Sequence, residues 1–269
     1  VRFARIASEL EIMASVHVKV DSGMHRVGVQ PDNAVRVASL VDESQWLTLD
    51  GMFTHLATAD VADTQFAQQQ VSLFMRAVEQ VRALEIEVRH VHISNSASAI
   101  RRLDTGVGCT MTRVGIAMYG IPGDAATNSF GATHQLDLRP VMSVRARVSH
   151  VQKVAAGQGV SYGLRRPLES DSTIATLPLG YADGIPRGIW ESGSVLVNGT
   201  RRAFAGVVTM DQILVNCADD AVGIGDEVVL IGAQGPELIT ANEWANKMGT
   251  IGYEIVCAIS ARMPRNYIN

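Results

Sequence analysis

Apolar residues recur along this chain with two different periods, and the change between them divides it. Over residues 1–14, Phe3, Ile6, Leu10 and Met13 fall on one face of a helix. Residues 15–20 (SVHVKV) are short, β-branched and alternating, which predicts a strand turned by Asp21-Ser22-Gly23. Pro31 and Asp32 then open a helix with Ala34, Val37, Leu40 and Val41 inward. A second cycle follows: a strand over residues 46–53, a loop over 54–60, and a long helix capped by Asp63 or Thr64. That helix carries Phe66, Val71, Phe74, Val78 and Val81 at 3–4 spacing. Residues 90–93 and 113–119 read as two more short strands. Strands alternating with helices predict βαβ units on a parallel sheet. A closed eight-unit barrel takes about 250 residues, so residues 1–136 hold only half of a (β/α)8 TIM-type barrel.

From about Leu138 the period shortens to two. Residues 141–154 alternate apolar and polar, residues 173–178 form a β-rich run, and Asn198-Gly199 between SVLV and TRRAFAG is a two-residue hairpin signal. Gly225-Asp226 leads into the apolar run 227–231. Thr240-Ala241-Asn242-Glu243 is a capping box opening a short helix, with Tyr253 just beyond it. Residues 137–269 therefore form a second, mostly β domain. No internal repeat or low-complexity segment interrupts either part.

Composition changes this picture little. Hydrophobic residues at 47% and charged residues at 19% suit a chain that buries a sizeable core. A net charge of −4 argues against a nucleic-acid or anionic-membrane surface, and no apolar run reaches the roughly 18 residues of a spanning helix. Cys109, Cys217 and Cys257 are odd in number and lack metal spacing, so buried thiols in a reducing, cytoplasmic setting are expected, and no metal site. The chain opens on Val1 already reading as the interior of a domain, which predicts that a beginning is absent from it.

Residues just after the strand C-termini of a parallel barrel face its site, and that rule selects residues 19–26, Thr54-His55, 94–96 and 113–116. In the second domain Tyr162 (SYG) and Tyr181 (GYADG) each stand beside glycine, where the backbone can turn sharply and hold a side chain out. Taken singly, each has a plainer role. A tyrosine between small residues is more often a half-buried anchor. His55 alone is more often a structural histidine, Arg26 and Arg113 serve equally as surface or ion-pair arginines, and Ser96 and Tyr253 as caps or anchors. His92 is read as structural.

Taken together, SYG, GYADG and Thr209-Met210-Asp211-Gln212 resemble the C-terminal domain of alanine racemases. The match runs back through DSGMHRVG, THLATAD, HISNSA and RVGIAMYG and forward to YEIVCAISARMPR, nearly the whole chain in family order. The resemblance implies a pyridoxal 5'-phosphate (PLP) enzyme, the second half of its barrel followed by its β domain. It also implies a homodimer sharing its site between subunits and interconverting L- and D-alanine by two-base proton transfer, with D-alanine destined for bacterial peptidoglycan. Tyr162, supplied by the other subunit, is then the base on one face of the α-carbon and a PLP lysine the base on the other. His55 partners the tyrosine, and Arg113 lies behind His55 and at the pyridine nitrogen. Ser96, the N–H groups of Gly115 and Ile116, and the Tyr253 hydroxyl hold the phosphate. Arg26 touches the cofactor's phenolic oxygen and the substrate carboxylate, the Met210 N–H is a further carboxylate donor, and Tyr181 and Asp211 narrow the entrance.

The family's lysine sits in a motif ending Tyr-Gly-His-Gly, which does not occur here; the chain has only Lys19, Lys153 and Lys247. In the family the place of Lys19 supports Arg26, often as a carbamate, and does not bind the cofactor. The expectation is a chain that is inactive alone and whose open half barrel leaves strand edges prone to association. Thr209 stands where many members have cysteine. Two alternatives are weaker. A related PLP decarboxylase of basic amino acids calls for a glycine-rich phosphate loop and a Cys-Glu-x-Gly-Asp site, and neither occurs. A non-catalytic PLP-binding protein that lost its lysine has no reason to keep Tyr162, His55 and Arg113 together.

Overall fold

The computed structural model describes residues 2–122 and 136–268. They form two compact units, Val1–Met118 and Leu138–Asn269, with Tyr119 through Pro122 on the side of the second.

In the first unit β1 (Ala14–Lys19), β2 (Leu47–Phe53) and β3 (His90–His92) pair in parallel in that order. The connections are α1 (Arg2–Glu9) before β1, α2 (Ala34–Asp42), α3 (Gln65–Arg82), and α4 (Ser96–Arg101) after β3. The core is built on the apolar stripe of α3, where Val71, Phe74, Ala77, Val78 and Val81 are buried against Met52, Val91 and Ile93 of the sheet and its strand ends. The N-terminus of α3 is fastened by the Asp63 carboxylate, which accepts the Gln65 N–H at 2.9 Å, while the Thr64 side chain makes no capping bond.

Three expectations need correction here. Residues 113–119 are not a strand: residues 116–119 form a 3-10 turn. The cause is the Ser96 hydroxyl, which accepts the N–H groups of Gly115 at 2.9 Å and Ala117 at 3.3 Å and so engages the donors a ladder would use. Next, the apolar stripe of α1 faces outward, with Phe3, Leu10 and Met13 exposed and only Ala7 buried. Periodicity marks a face and does not supply its partner. Last, Leu40 and Phe66 are exposed because the buried positions of their helices run through Ala34, Ala38 and Val41 and through Ala67, Gln70 and Val71.

The second unit carries two sheets. One runs β11 (Glu237–Ile239), β10 (Glu227–Gln234), β7 (Ser194–Val197), β8 (Thr200–Ala203), with β4 (Val144–Arg147) also paired to β10. The other is β5 (His150–Val154), β6 (Ser172–Leu177), β9 (Ile213–Asn216), all antiparallel, with every residue of the central β6 buried. Asn198 and Gly199, at φ 50° and 73°, make the tight turn between β7 and β8. Thr240 caps α5 (Ala241–Met248) by accepting the Glu243 N–H at 3.0 Å, and Tyr253 belongs to the short α6 (Gly252–Ala258) that follows. Cys217 is buried, Cys109 is half-buried and Cys257 is exposed on α6, so the expectation of uniformly buried thiols fails at Cys257. No helix among the described residues is long and apolar enough to cross a membrane.

Candidate active site

In the first unit the candidate residues gather beyond the C-terminal ends of β1, β2 and β3, with Arg113 at their centre. Its Nη2 donates to the carbonyl oxygens of Thr54 at 2.8 Å and Ile93 at 3.3 Å, and its Nη1 lies 2.6 Å from His92 Nδ1. The guanidinium also stands over the Phe53 ring, 5.2 Å from its centroid. Strand-end carbonyls thus hold a cation that β-sheet pairing leaves half-buried. Burial draws its pKa below the usual arginine value, and it remains a cation at neutral pH.

His55, the second residue past β2, has Nδ1 3.3 Å from Arg113 Nη2 and Nε2 3.4 Å from Asn95 Nδ2. The amide of Asn95 is oriented by its other end, whose Oδ1 accepts the Ser98 N–H at 2.9 Å and caps α4. Burial, then the charges of Arg113, Arg26 and Lys19, lower the His55 pKa and keep the imidazole neutral. Arginine and the Asn95 amide nitrogen both donate, so each ring nitrogen faces a donor and the neutral ring accepts from one of them.

The DSGMHR loop is folded by Asp21. Its Oδ1 accepts the N–H groups of Gly23, Met24 and His25 at 3.2, 3.1 and 2.9 Å, bonds that lower its pKa, the His25 bond most. The loop presents Arg26 at the exposed rim, near enough to act on the charges of both Lys19 and His55. Lys19 Nζ donates to the Val27 carbonyl, and burial lowers the pKa of its amine.

A phosphate-sized group finds uncharged donors close by. The Ser96 oxygen already accepts two backbone N–H groups, so its own O–H is left to donate. Gly115 has nothing within 4 Å of where a Cβ would stand, and Ile116 follows it at the start of the 3-10 turn. These residues, with a donor-only guanidinium on the same strand ends, fit the phosphate and the ring nitrogen of PLP.

In the second unit Tyr162, Tyr181, Met210 and Asp211 line one open depression of about 530 Å³, together with Arg187, residues 207–209 and Gln212. Tyr162 stands out from a turn in which Ser161 and Gly163 have φ of 65° and 76°, and it is 75% exposed. The Ser161 hydroxyl donates to the Val207 carbonyl at 2.9 Å and ties that turn to the depression's wall. The Tyr181 turn is stitched to its neighbour by Tyr181 N–H to Thr209 O at 2.9 Å and Ala182 N–H to Met210 O at 3.1 Å. Gly180 permits that approach, since a Cβ there would lie 2.1 Å from the Thr209 carbonyl oxygen. Tyr253 is on α6 and is not among the residues lining the depression.

Sequence reasoning missed several members. His92, read as structural, is the direct partner of Arg113, and burial followed by the Arg113 charge pushes its pKa down to about 4. Its position at the last residue of a parallel strand was the available signal. Asn95 behind His55 lies within the selected residues 94–96 but was given no role of its own, and nothing in the sequence announced Arg187 in the depression.

A family model described as the alanine racemase N-terminal domain matches residues 2–122, and one described as the alanine racemase C-terminal domain matches residues 141–267. An alanine racemase of Halothermothrix orenii is 40% identical over 266 residues, covering 98% of this chain and 68% of that protein. Among solved structures, alanine racemase from Bacillus anthracis with bound L-Ala-P superposes with a TM-score of 0.88 at 34% identity, over 100% of this chain and 69% of that one. Alanine racemase from D-cycloserine producing Streptomyces lavendulae gives 0.91 at 33% identity, over 100% and 70%. The chain spans about two thirds of the length of these proteins.

Proposed function

Because this chain belongs to the alanine racemase family of PLP-dependent isomerases, we propose that it carries the tyrosine half of a two-base site that interconverts L- and D-alanine. The observation that carries the reading is the convergence of Tyr162, Tyr181 and Met210, scattered over 49 positions (162 to 210), on one depression. PLP, when bound, withdraws electrons from the α-carbon and makes its proton removable.

The chain's own residues do the rest. The Ser96 hydroxyl, the Ile116 N–H and the Tyr253 hydroxyl would hold the phosphate, with the Gly115 N–H shared between it and the Ser96 oxygen. Arg113 would meet the ring nitrogen with an N–H it does not give up, which would leave that nitrogen unprotonated and disfavour side reactions fed by a stronger electron sink. Arg26 and the Met210 N–H bind the substrate carboxylate, and Tyr181 and Asp211 narrow the approach. Tyr162, serving the site of a second subunit in a homodimer, removes and returns the proton on one face. A free phenol has a pKa of about 10, so bringing it near 7 takes roughly 4 kcal/mol of preferential stabilisation of the phenolate. The neutral His55 is the proposed partner of that phenolate. The D-alanine produced serves cell-wall peptidoglycan, and the cytoplasm is where that precursor is needed.

The base of the opposite face is a lysine, and each of the chain's three lysines already donates a hydrogen bond. Lys19 donates to Val27 O, Lys153 to the Thr173 hydroxyl at 2.8 Å, and Lys247 to Ser192 O at 2.8 Å. None of the three is proposed as the cofactor's lysine, and the 269 residues alone are expected not to racemise alanine. The test is to incubate the purified chain with PLP, reduce with borohydride, digest, and locate any pyridoxyl-lysine by mass spectrometry beside an assay for D-alanine. No stoichiometric label and no D-alanine are expected. Full labelling of Lys19 with alanine racemisation would overturn the assignment.

A further inference from the structure

Arg113 is the inner end of a chain of contacts, two hydrogen bonds and then an ion-pair contact, that leaves the site and runs across the sheet. His92 Nδ1 lies 2.6 Å from Arg113 Nη1, His92 Nε2 lies 2.7 Å from His17 Nδ1, and His17 Nε2 lies 3.5 Å from Asp50 Oδ2. One end is a guanidinium, which only donates, and the other a carboxylate, which only accepts. Every proton between them is then assigned. Arg113 donates to His92 Nδ1, so the His92 proton is on Nε2 and points at His17 Nδ1. The His17 proton is in turn on Nε2, the nitrogen 3.5 Å from the Asp50 carboxylate.

We propose that His17 and Asp50 are positioning residues for Arg113, fixing the tautomers that present an unprotonated His92 Nδ1 to its guanidinium. This rests on Arg113 being the partner of the cofactor's ring nitrogen, since a guanidinium that rocks about its carbonyl contacts aims its remaining N–H poorly.

Two independent features of the backbone serve this chain. The parallel register of β1 and β2 slips at His17: Val16 pairs with Leu49 but His17 pairs with Gly51, so Asp50 is the extra residue of a bulge. A bulge re-aims a side chain, and this one sets the Asp50 carboxylate beside His17. Gly51 then leaves room for the ring, since a Cβ there would stand 2.7 Å from His17 Nδ1 and 2.6 Å from the His90 carbonyl oxygen. Around the relay, Arg89 pairs with the other oxygen of Asp50 at 3.2 Å, His90 stacks on His17 with centroids 6.0 Å apart, and Phe53 stacks on His92 at 4.9 Å. These contacts fix the planes of the rings; only the hydrogen bonds fix their protons.

The experiment is long-range 1H–15N correlation on the 269-residue chain with labelled histidine and arginine at neutral pH, in the parent, Asp50→Asn and Asp50→Leu. In the parent, His17 and His92 both appear as neutral rings protonated on Nε2. Asn keeps an acceptor and preserves both patterns, whereas Leu turns His17 into a tautomer mixture, averages the His92 nitrogens and broadens the Arg113 Nη signals. A parent His92 protonated on Nδ1, or on both nitrogens, overturns the proposal whatever the variants do. So does an Asp50→Leu chain whose His92 and Arg113 signals match the parent's. The readout needs no turnover, so alanine racemisation by the 269 residues alone would count against the proposed function and leave these tautomers as they are.

Discussion

Arg262 Nη2 lies 2.7 Å from Asp211 Oδ1, and Nε of the same guanidinium lies 3.3 Å from Asp183 Oδ1. One side chain from the C-terminal segment therefore straps the turn that carries Tyr181 to the turn that carries Met210. The buried Asp183 also accepts the Gly180 N–H through its other oxygen at 2.8 Å, and Ser260 N–H reaches Asp183 O at 3.0 Å. Replacing Arg262 with alanine removes the strap and leaves the two backbone bonds between the turns as their tie. Amide exchange at Tyr181 and Ala182 should accelerate roughly tenfold, as expected for the loss of charge-assisted bonds. Arg262→Lys should recover only part, because an ammonium lacks the fork that spans two carboxylates. Unchanged exchange in the alanine variant would show that the backbone bonds suffice.

The histidines beside Arg113 make the first unit acid-sensitive. An unfolded histidine titrates near 6.5, and burial followed by the Arg113 charge holds His92 at about 4. Between those values the unfolded chain binds a proton that the folded chain refuses, so stability is full above pH 6.5 and is lost as pH falls toward 4. A shift of that size corresponds to roughly 3 kcal/mol at most. His55 is shifted in the same direction and adds to the loss. Urea midpoints measured from pH 7.5 down to 4.5 should fall steadily below 6.5. His92→Gln should start lower, having lost the Arg113 contact, and fall less steeply. A wild-type profile flat to pH 4.5 would mean that His92 accepts a proton in the folded state.

What the sequence revealed and what it concealed differ in the distance of the deciding partner. The inner stripe of α3, the Asn198-Gly199 turn and the Thr240 cap are decided within a few residues, and each is where its local pattern places it. The fate of residues 113–119 was decided by the hydroxyl of Ser96, 19 residues before Gly115, and no local propensity encodes that. The α1 stripe misled for the opposite reason, since its pattern is sound and its partner is not among the described residues. Tyr162, Tyr181, Met210 and Asp211 were legible through resemblance and do share a depression. The relay through His17 and Asp50 was not, because it depends on a bulge that shifts one strand by a single residue.

The three cysteines should separate cleanly by reactivity. Cys217 has no exposed surface, and burial pushes its thiol up to about 11. Cys109 is half-buried and raised in the same direction by burial and by Asp104, while Cys257 is exposed on α6. Thiolate fraction and access together set the rate of disulfide exchange. With an aromatic disulfide reagent at pH 8, one thiol should react fast, one slowly, and one only after denaturation; peptide mapping should name them Cys257, Cys109 and Cys217 in that order. A rapidly modified Cys217 would place β9 and its flank nearer solvent than the fold allows.

The turn between β7 and β8 offers a test of conformation free of crowding. Gly199 has φ 73°, yet the nearest atom to a Cβ placed there is the Gln234 carbonyl oxygen at 3.7 Å, an ordinary contact. Any cost of substitution at Gly199 is therefore the cost of the left-handed backbone itself. Gly199→Ala should destabilise by about 1 kcal/mol, Gly199→Val by about 2 kcal/mol, and Gly199→Asn by less than either, in the order of their tolerance for positive φ. Gly180 is the contrast. Its backbone is extended, with φ of −161°, but its Cβ position lies 2.1 Å from the Thr209 carbonyl oxygen. There even alanine must push the Tyr181 turn away from its neighbour, and asparagine should fare worse than alanine. Urea unfolding of the five variants distinguishes the two cases: asparagine milder than alanine at 199, alanine milder than asparagine at 180. The same ranking at both positions would mean that close approach at Gly180 is relieved by a small shift of the loop and that backbone conformation governs both turns.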